Sequence, residues 1–302
     1  MRKVNMKKAY ALSVILWIVA GMGAVTIFLA ILSKDIVGIS AKLEDKLISR
    51  LKAEETVDLL IFYGTTGEFY LNTMTNQIAE DYNLSNKLYI DNNNTIFNDV
   101  NITIQDTAGI YNVLFLRNEM IAKELDVENF YTIKDSILDW IDKNSFQKLN
   151  GAEEDYYRHL SDDSYKPRDD LSIQAVEELA LIKGIEKSRL DELRSLFYYG
   201  RGSKANLMTI PKKSLIMLLD ITPSFGDELI NLREKEPLEF IKSINRLDSK
   251  VKDEYDSYGF FPSKIIKINI LASHKDARTK IEAVLDFKMR QERAFIYNYK
   301  VY

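Results

Sequence analysis

"AYALSVILWIVAGMGAVTIFLAIL", residues 9–32, carries no charged side chain. At a rise of ~1.5 Å per residue, a helix of this length spans a bilayer hydrocarbon core roughly 30 Å thick. A cleaved secretory signal has an apolar region of only ~7–15 residues ending in a small-x-small site, so the run is too long for that reading. Arg2, Lys3, Lys7 and Lys8 lie before it. The excess of basic residues on that side keeps the N-terminus in the cytoplasm and sends everything after Lys34 across the membrane, into the periplasm in a bacterium.

Helical patterning continues beyond the apolar run. In "DIVGISAKLEDKLISRLKAEETVDLLIFYG" the residues Ile39, Leu43, Leu47, Leu51, Leu60 and Ile61 form an approximate apolar stripe, with Lys42, Asp45, Lys46, Arg50 and Glu54 largely elsewhere. Gly64 is a plausible stop. One helix over residues 10–63 is ~80 Å long, its first half in lipid and its second half packed on a soluble domain. A plain anchor followed by a separate amphipathic helix is the competing reading.

The 302 residues leave room for two compact units, and an apolar fraction of 46% is ordinary for a protein with real cores. A net charge of −4 gives no general reason to expect a nucleic-acid partner, which calls for a basic face. With no cysteine, disulfides and thiolate metal sites are excluded. The two histidines, His159 and His274, sit in no nucleophile motif, and no glycine-rich phosphate loop occurs, so an enzyme is not expected.

After the long helix, "TTGEFYLNTMTNQ" and "NKLYIDNNNTIFNDVNITIQDTAGIYNVLFL" have the texture of short strands and turns. "DNNNT" reads as a turn, and "NITIQDTAGIYNVLF" as a strand, a turn at residues 107–109 and a second extended piece. From Asn118 the pattern becomes helical, with Ile121, Leu125, Ile133, Ile137, Leu138 and Ile141 at helical spacing. "SIQAVEELALIKGIEKSRLDELRSLF" is expected as a further helix capped by Ser172, with Glu177 and Glu178 in its early turns. In the tail, residues 265–271, 280–287 and 295–301 are expected as antiparallel strands, packed on the amphipathic half of the N-terminal helix.

The combination "IQDTAGIYNVLF", "DWID…GAEEDYY", "AVEELALIKGI" and "KANLMTIPKKSLIMLL" resembles the type II secretion protein K family, the large minor pseudopilins. The order and spacing of its elements run through nearly the whole chain. D-W-I-D with G-A-E is the most specific part; Asn206-Leu207-Met208-Thr209 is a weakened version of an N-v-N-T element, and Tyr111-Asn112-Val113-Leu114 keeps one of the expected asparagines. The resemblance implies an α+β fold, a pilin-like long N-terminal helix packed on an antiparallel sheet, with a large all-α insertion of the SAM or helix-hairpin-helix kind. The implied parts are a prepilin leader at 1–9, a membrane and filament-core helix at 10–33, and a pilin-like helix with first strands at 34–117. An inserted helical domain at 118–205 follows, then further helices and the C-terminal strands at 206–302.

The family further implies prepilin cleavage between Ala9 and Tyr10, although Ala9 stands where relatives carry glycine. The fifth mature position, a glutamate in major pseudopilins, is Val14, as suits a subunit at a filament tip. Implied with it are a single-pass location in the bacterial inner membrane with the head in the periplasm, partners of the I and J minor pseudopilin types, the prepilin peptidase, and a role in protein export.

"DWIDKNSFQKLNGAEEDYY", residues 139–157, gathers oxygen ligands without histidine or cysteine, a set that suits a hard cation. Asp142, Asn144 and Glu153 fall at the first, third and twelfth places of an EF-hand-length window, but Phe146 and Gln147 occupy the places of a ligand and the glycine, so it is not an EF-hand. The family's calcium in this domain implies a site built from Asp139, Asp142, Asn144, Glu153, Glu154 and Asp155. An acidic loop that caps helices and bonds tyrosines is the alternative. Trp140 is expected as a core anchor rather than a ligand stacker.

Two other functions fit parts of the chain. "LIKGIEKSRLDELR" and "LDITPSFGDELINLRE", with turns at Gly184 and Gly226, resemble helix-hairpin-helix units of a membrane-anchored, competence-like DNA-binding protein. Glu178, Glu186, Asp191 and Glu192 give such a unit a poor field for a polyanion. A membrane-anchored calcium sensor and a minor pilin of a type IV pilus are the remaining alternatives.

Overall fold

A computed structural model describes residues 2–82, 84–112, 122, 125–126, 128–160, 165–168, 173–198, 205–247, 258–288 and 294–302. The expected helix between Asn118 and Leu125 lies mostly outside the described residues, as does Ser172.

Helix α1 runs unbroken over Arg2–Thr66. Its apolar run is long enough to cross a membrane, and its side chains there are exposed. Gly64 does not end it: the helix continues to Thr66, and a Cβ at Gly64 would lie 2.5 Å from the Phe287 ring, so the glycine makes room for an aromatic side chain. The stripe also turns out differently from expectation. Ile39, Leu43, Leu47 and Leu51 are exposed, while Ala53, Thr56, Val57, Leu60 and Tyr63 are buried. Spacings of three and four from Ala53 onward hold one helix face in the core, whereas the larger side chains upstream lie on another face.

The chain divides into two compact units. In the first, Met1–Lys52 with Ala272–Thr279, the hairpin tip grips the helix by polar contacts. Lys46 donates to the Arg278 carbonyl, Ser49 Oγ and Thr279 Oγ1 share a buried 2.6 Å hydrogen bond, and Lys275 Nζ lies 2.7 Å from Asp45.

The second unit is Ala53–Leu271 with Lys280–Tyr302. Strands β1 (Glu68–Tyr70), β2 (Thr73–Thr75) and β3 (Lys87–Tyr89) pair antiparallel in sequence order. Strands β4 (Asp91–Phe97) and β5 (Val100–Asp106) form a hairpin, extended by the tail strands in the order β12-β11-β10-β5-β4. "DNNNT" is therefore strand, not turn. It contains an irregularity: Asn92 takes φ +68° and the register shifts between Asp91 and Asn94, conformations that asparagine tolerates better than most residues. Tyr63 stacks edge-on to Phe97 at 6.0 Å, fixing the end of α1 to this hairpin.

The tail strands appear as expected: β10 (Ile265–His274), β11 (Ala277–Asp286) and β12 (Phe295–Val301). β5 pairs antiparallel with β10 from Asn101↔Leu271 to Asp106↔Ile266. Thus the fold is α+β, with its sheet completed by strands more than 150 residues apart, as 266 − 106 = 160 shows.

Between β5 and β10 the chain makes two short parallel bridges. β6 (Tyr111–Asn112) pairs with β7 (Phe197–Tyr198), and β8 (Ala205–Asn206) pairs with β9 (Tyr258–Gly259). The first bridge closes the inserted domain at its neck. That domain holds α2 (Phe130–Ile141), α3 (Glu154–Arg158) and α4 (Leu190–Leu196) around a core containing Ile133, Ile137, Trp140, Tyr157, Leu179 and Leu193. The helix expected from Ser172 onward is instead 3-10 at Val176–Leu181 and Lys187–Arg189 before α4. Gly184 separates the two pieces at φ +90°, a region that L side chains avoid.

A second helical cluster packs α5 (Lys212–Leu219), α6 (Pro223–Lys235) and α7 (Pro237–Leu247) around Leu215, Leu229, Phe240 and Ile244. Thr222 caps α6 and Pro223 opens it. Gly226 is inside α6, not in a hairpin turn; a Cβ there would meet Ile216 Cγ1 at 2.4 Å, so it serves close helix packing.

Asp106 joins these parts. Its carboxylate is wholly buried and accepts from Asn206 Nδ2 (2.8 Å), Thr209 Oγ1 (3.2 Å), Ser263 N (3.0 Å), Ser263 Oγ (2.6 Å) and Ala108 N (3.2 Å). Burial raises its pKa, while the Ser263, Asn206 and Ala108 donors pull the other way. A second fastening is Lys267 of β10, whose ammonium reaches the carbonyls of Arg194 and Phe197 at the end of the inserted domain. Burial brings Lys267 down to about 8, against the pull of Glu282 and Glu177.

Replacing Asp106 by alanine strands the donors of Asn206, Thr209 and Ser263 and should cost about 3–5 kcal/mol in chemical denaturation. A loss below about 1 kcal/mol would mean that these donors find other partners.

Candidate functional site

The sequence marker D-W-I-D ends α2. Periodicity puts Ile133, Ile137 and Trp140 on the buried face, and Asp139, one position before the tryptophan, is carried in with them at 1% exposure. Trp140 meets Tyr157 edge-on at 4.9 Å. A buried indole needs a hydrogen-bond acceptor, and Glu178 supplies it: Trp140 Nε1 donates to Glu178 Oε1 at 2.8 Å. The same carboxylate receives Arg168 Nε at 2.6 Å, Arg168 Nη2 at 2.5 Å and the Gln174 amide at 3.2 Å. Burial pushes the Glu178 carboxyl up, but the Arg168 fork and the indole outweigh it, so it titrates below the ordinary glutamate range.

The acidic loop leaves α2 at Asp142 and returns at Glu153, the residue before α3. Asp139 accepts the Lys148 backbone N–H at 3.0 Å on Oδ2, and the Lys148 ammonium lies 3.3 Å from its Oδ1. The same ammonium donates to Asp142 Oδ2 at 3.0 Å. Asp142 Oδ1 is buried and has no hydrogen-bond partner among the described residues. Asp135 accepts both the backbone and side-chain N–H of Asn150, at 3.2 and 3.1 Å. Gly151 rests on the Asp139 carboxylate so closely that a Cβ would come within 1.9 Å of Oδ2. Asn150-Gly151 thus turns the loop back onto α2, as its sequence suggests. On the other side, Lys183 Nζ donates to the Asn150 carbonyl at 3.3 Å and the Gly151 carbonyl at 2.9 Å, and stands 5.0 Å above the Tyr156 ring.

Of the six residues expected around calcium, Asp139 and Asp142 converge, and they converge on Lys148. Asn144 accepts the Phe146 N–H in a local turn, Glu154 pairs with Arg158 at 2.5 Å, and Asp155 is exposed in the first turn of α3. Glu153 is buried at the start of that helix. Among the described residues no three His, Cys, Asp or Glu side chains gather as a metal cluster. This donor set does not fit a calcium cage, which takes about six to eight oxygens.

Lys148, Lys183 and Arg168 are the parts that sequence reasoning missed. Their only advance signal was the number of acids near them, since cations on a loop carry no periodicity. His159 contacts the Asp155 carbonyl at 2.5 Å and His274 lies 3.6 Å from Asp45.

Residues 106–197 match the family model described as Type II secretion system (T2SS), protein K. Its limits coincide with Asp106, the buried node, and Phe197, in the neck. Over that segment, about a third of the chain, the sequence is similar to protein K of the type II secretion system. The matched segment includes the Trp140–Glu178–Arg168 lock and the whole acidic loop. No curated protein matches the chain significantly. Among solved structures, a chain of the GspK-GspI-GspJ complex from the enterotoxigenic Escherichia coli type 2 secretion system superposes with a TM-score of 0.51 at 13% identity. The match covers 67% of this chain and 79% of that one. It shows a shared fold.

Removing the Glu178 charge should expose the role of the lock. Its depressed carboxyl contributes stability above the unfolded glutamate pKa of about 4.3 and loses it as pH falls through the lower folded value. Acid melting of the wild type should therefore show a steep loss below about pH 4. Glu178→Gln should flatten that limb and lower stability at neutral pH by about 2–3 kcal/mol, a figure reduced for the partly exposed Arg168.

Proposed function

We propose that this protein is a minor pseudopilin that caps the tip of a periplasmic type II secretion pseudopilus and assists its assembly for protein export. The apolar helix anchors it as a single span in the inner membrane, with the N-terminus in the cytoplasm and the head in the periplasm. Its partners are minor pseudopilins of the I and J types; the solved GspK-GspI-GspJ complex is an assembly of that composition.

The observation that carries the reading is the exposed stripe on α1. Ile39, Leu43, Leu47 and Leu51 are 59%, 65%, 56% and 54% exposed, one helical turn apart, and they continue the apolar run without a break in the helix. Four aliphatic side chains in a row on water are unfavourable by about 1.5–3 kcal/mol each relative to burial. A bundle of neighbouring pseudopilin helices removes that penalty. The work is assembly, not catalysis: the helix joins the bundle and the enlarged head covers its end. Val14 supports the tip position, since the chain lacks the carboxylate that would need a partner inside the bundle.

Co-expression with I- and J-type minor pseudopilins tests this directly. Leu43→Glu/Leu47→Glu should cut co-purification by about tenfold or more, equivalent to ~1.4 kcal/mol or more, while the melting of the head is unchanged. Undiminished co-purification would overturn the assembly role of the stripe. Leader removal is read separately, by mass spectrometry of the mature chain: processing should leave Tyr10 as the first residue, and an intact leader would sink that part.

A further inference from the structure

We propose that two lysine ammoniums, Lys148 and Lys183, are the built-in cations of the acidic loop, so that this protein K domain carries its own counter-charges and folds without a divalent metal. The inference is independent of the pseudopilin role.

Asp139 and Asp142 face one another across the last turn of α2, and like charges so close repel unless a cation lies between them. The Lys148 ammonium holds that place, 3.3 Å from Asp139 and 3.0 Å from Asp142. It is a compact charge with three donors, and it belongs to the loop it neutralises. Its own backbone N–H also binds Asp139, which keeps the charge tethered beside the carboxylates while the loop keeps its path. A free metal must instead be captured from solution.

Lys183 plays the corresponding part for the uncharged oxygens. The carbonyls of Asn150 and Gly151 point together, an arrangement usual in loops that wrap a hard cation. Here the Lys183 ammonium donates to both, with the Tyr156 ring beneath it. Gly151 is the meeting point of the two halves: its Cα lies on the Asp139 carboxylate and its carbonyl on Lys183. The loop is thereby clamped from both sides, by one lysine within it and another from beyond the 3-10 segment at Val176–Leu181. Asp142 Oδ1, buried without a hydrogen-bond partner among the described residues, marks where extra cationic charge would be accepted once Lys148 is removed.

The test uses the full-length chain in detergent, purified from calcium-containing buffer. Bound metal is counted by elemental mass spectrometry, and melting is followed by intrinsic fluorescence in chelator and in millimolar calcium. The wild type should hold less than one calcium per chain and melt at the same temperature in both. Lys148→Met should melt at least about 2–4 °C lower in chelator, with calcium now raising its midpoint; Lys148→Arg should keep most of the wild-type value. Stoichiometric calcium in the wild type, or a wild-type midpoint that climbs with calcium, overturns the proposal, and so does a Lys148→Met chain that melts like the wild type. If Lys148→Met does not fold, the metal count and calcium response of the wild type decide alone.

Discussion

A single buried carboxylate holds the second unit together. Asp106 ends β5, yet its donors come from the segment after the inserted domain (Asn206 and Thr209) and from the approach to β10 (Ser263). Burying an ionised group in this way is unfavourable unless its lone pairs are filled. Here five donors fill them, and the requirement fixes three distant pieces of chain at once. Gln105 adds to this by donating to the Thr209 carbonyl, against which Gly109 also packs without a side chain. That convergence ties the end of β5 to the approach to β10 and to the segment that leads into the second helical cluster.

Sequence periodicity revealed whatever depends on one segment alone. The uncharged run of residues 9–32, the three tail strands and the burial of Trp140 were legible because each signal is local and repeated. The failures share a different cause. Gly64 looks like a helix stop and Gly226 like a hairpin turn, but each is a glycine inside a helix where a side chain from elsewhere, Phe287 or Ile216, leaves no room for a Cβ. "DNNNT" has turn composition, yet pairing with β5 makes it strand. The segment after Ser172 has helical periodicity and takes 3-10 form, with Gly184 interrupting it.

The acidic loop shows the same limit at a site. Its carboxylates were visible in sequence, and family resemblance supplied an ion for them. What the sequence concealed was that Lys148 and Lys183 fold back onto the loop, because the path of an irregular segment is set by its hydrogen bonds and not by any period. Asp135, Asp139 and Glu178 each accept two or more donors from residues at least nine positions away or from the facing helix face. Such pairings are long-range facts about the fold.

The parallel bridge of Tyr111–Asn112 with Phe197–Tyr198 has a consequence for how this architecture can vary. It brings the two ends of the inserted domain side by side, so the chain leaves and re-enters the body at one point. For the body the insertion closes as a loop, whose closure entropy grows slowly with length, by about 0.6 kcal/mol for each doubling, and it is held further by Lys267 on the Arg194 and Phe197 carbonyls and by Lys300 on Glu177. Changes of length beyond the bridge therefore cost the sheet little, provided that the partners of Lys267 and Lys300 are kept. The inserted domain is thus an attachment whose length the sheet scarcely senses, entered and left through one two-residue bridge.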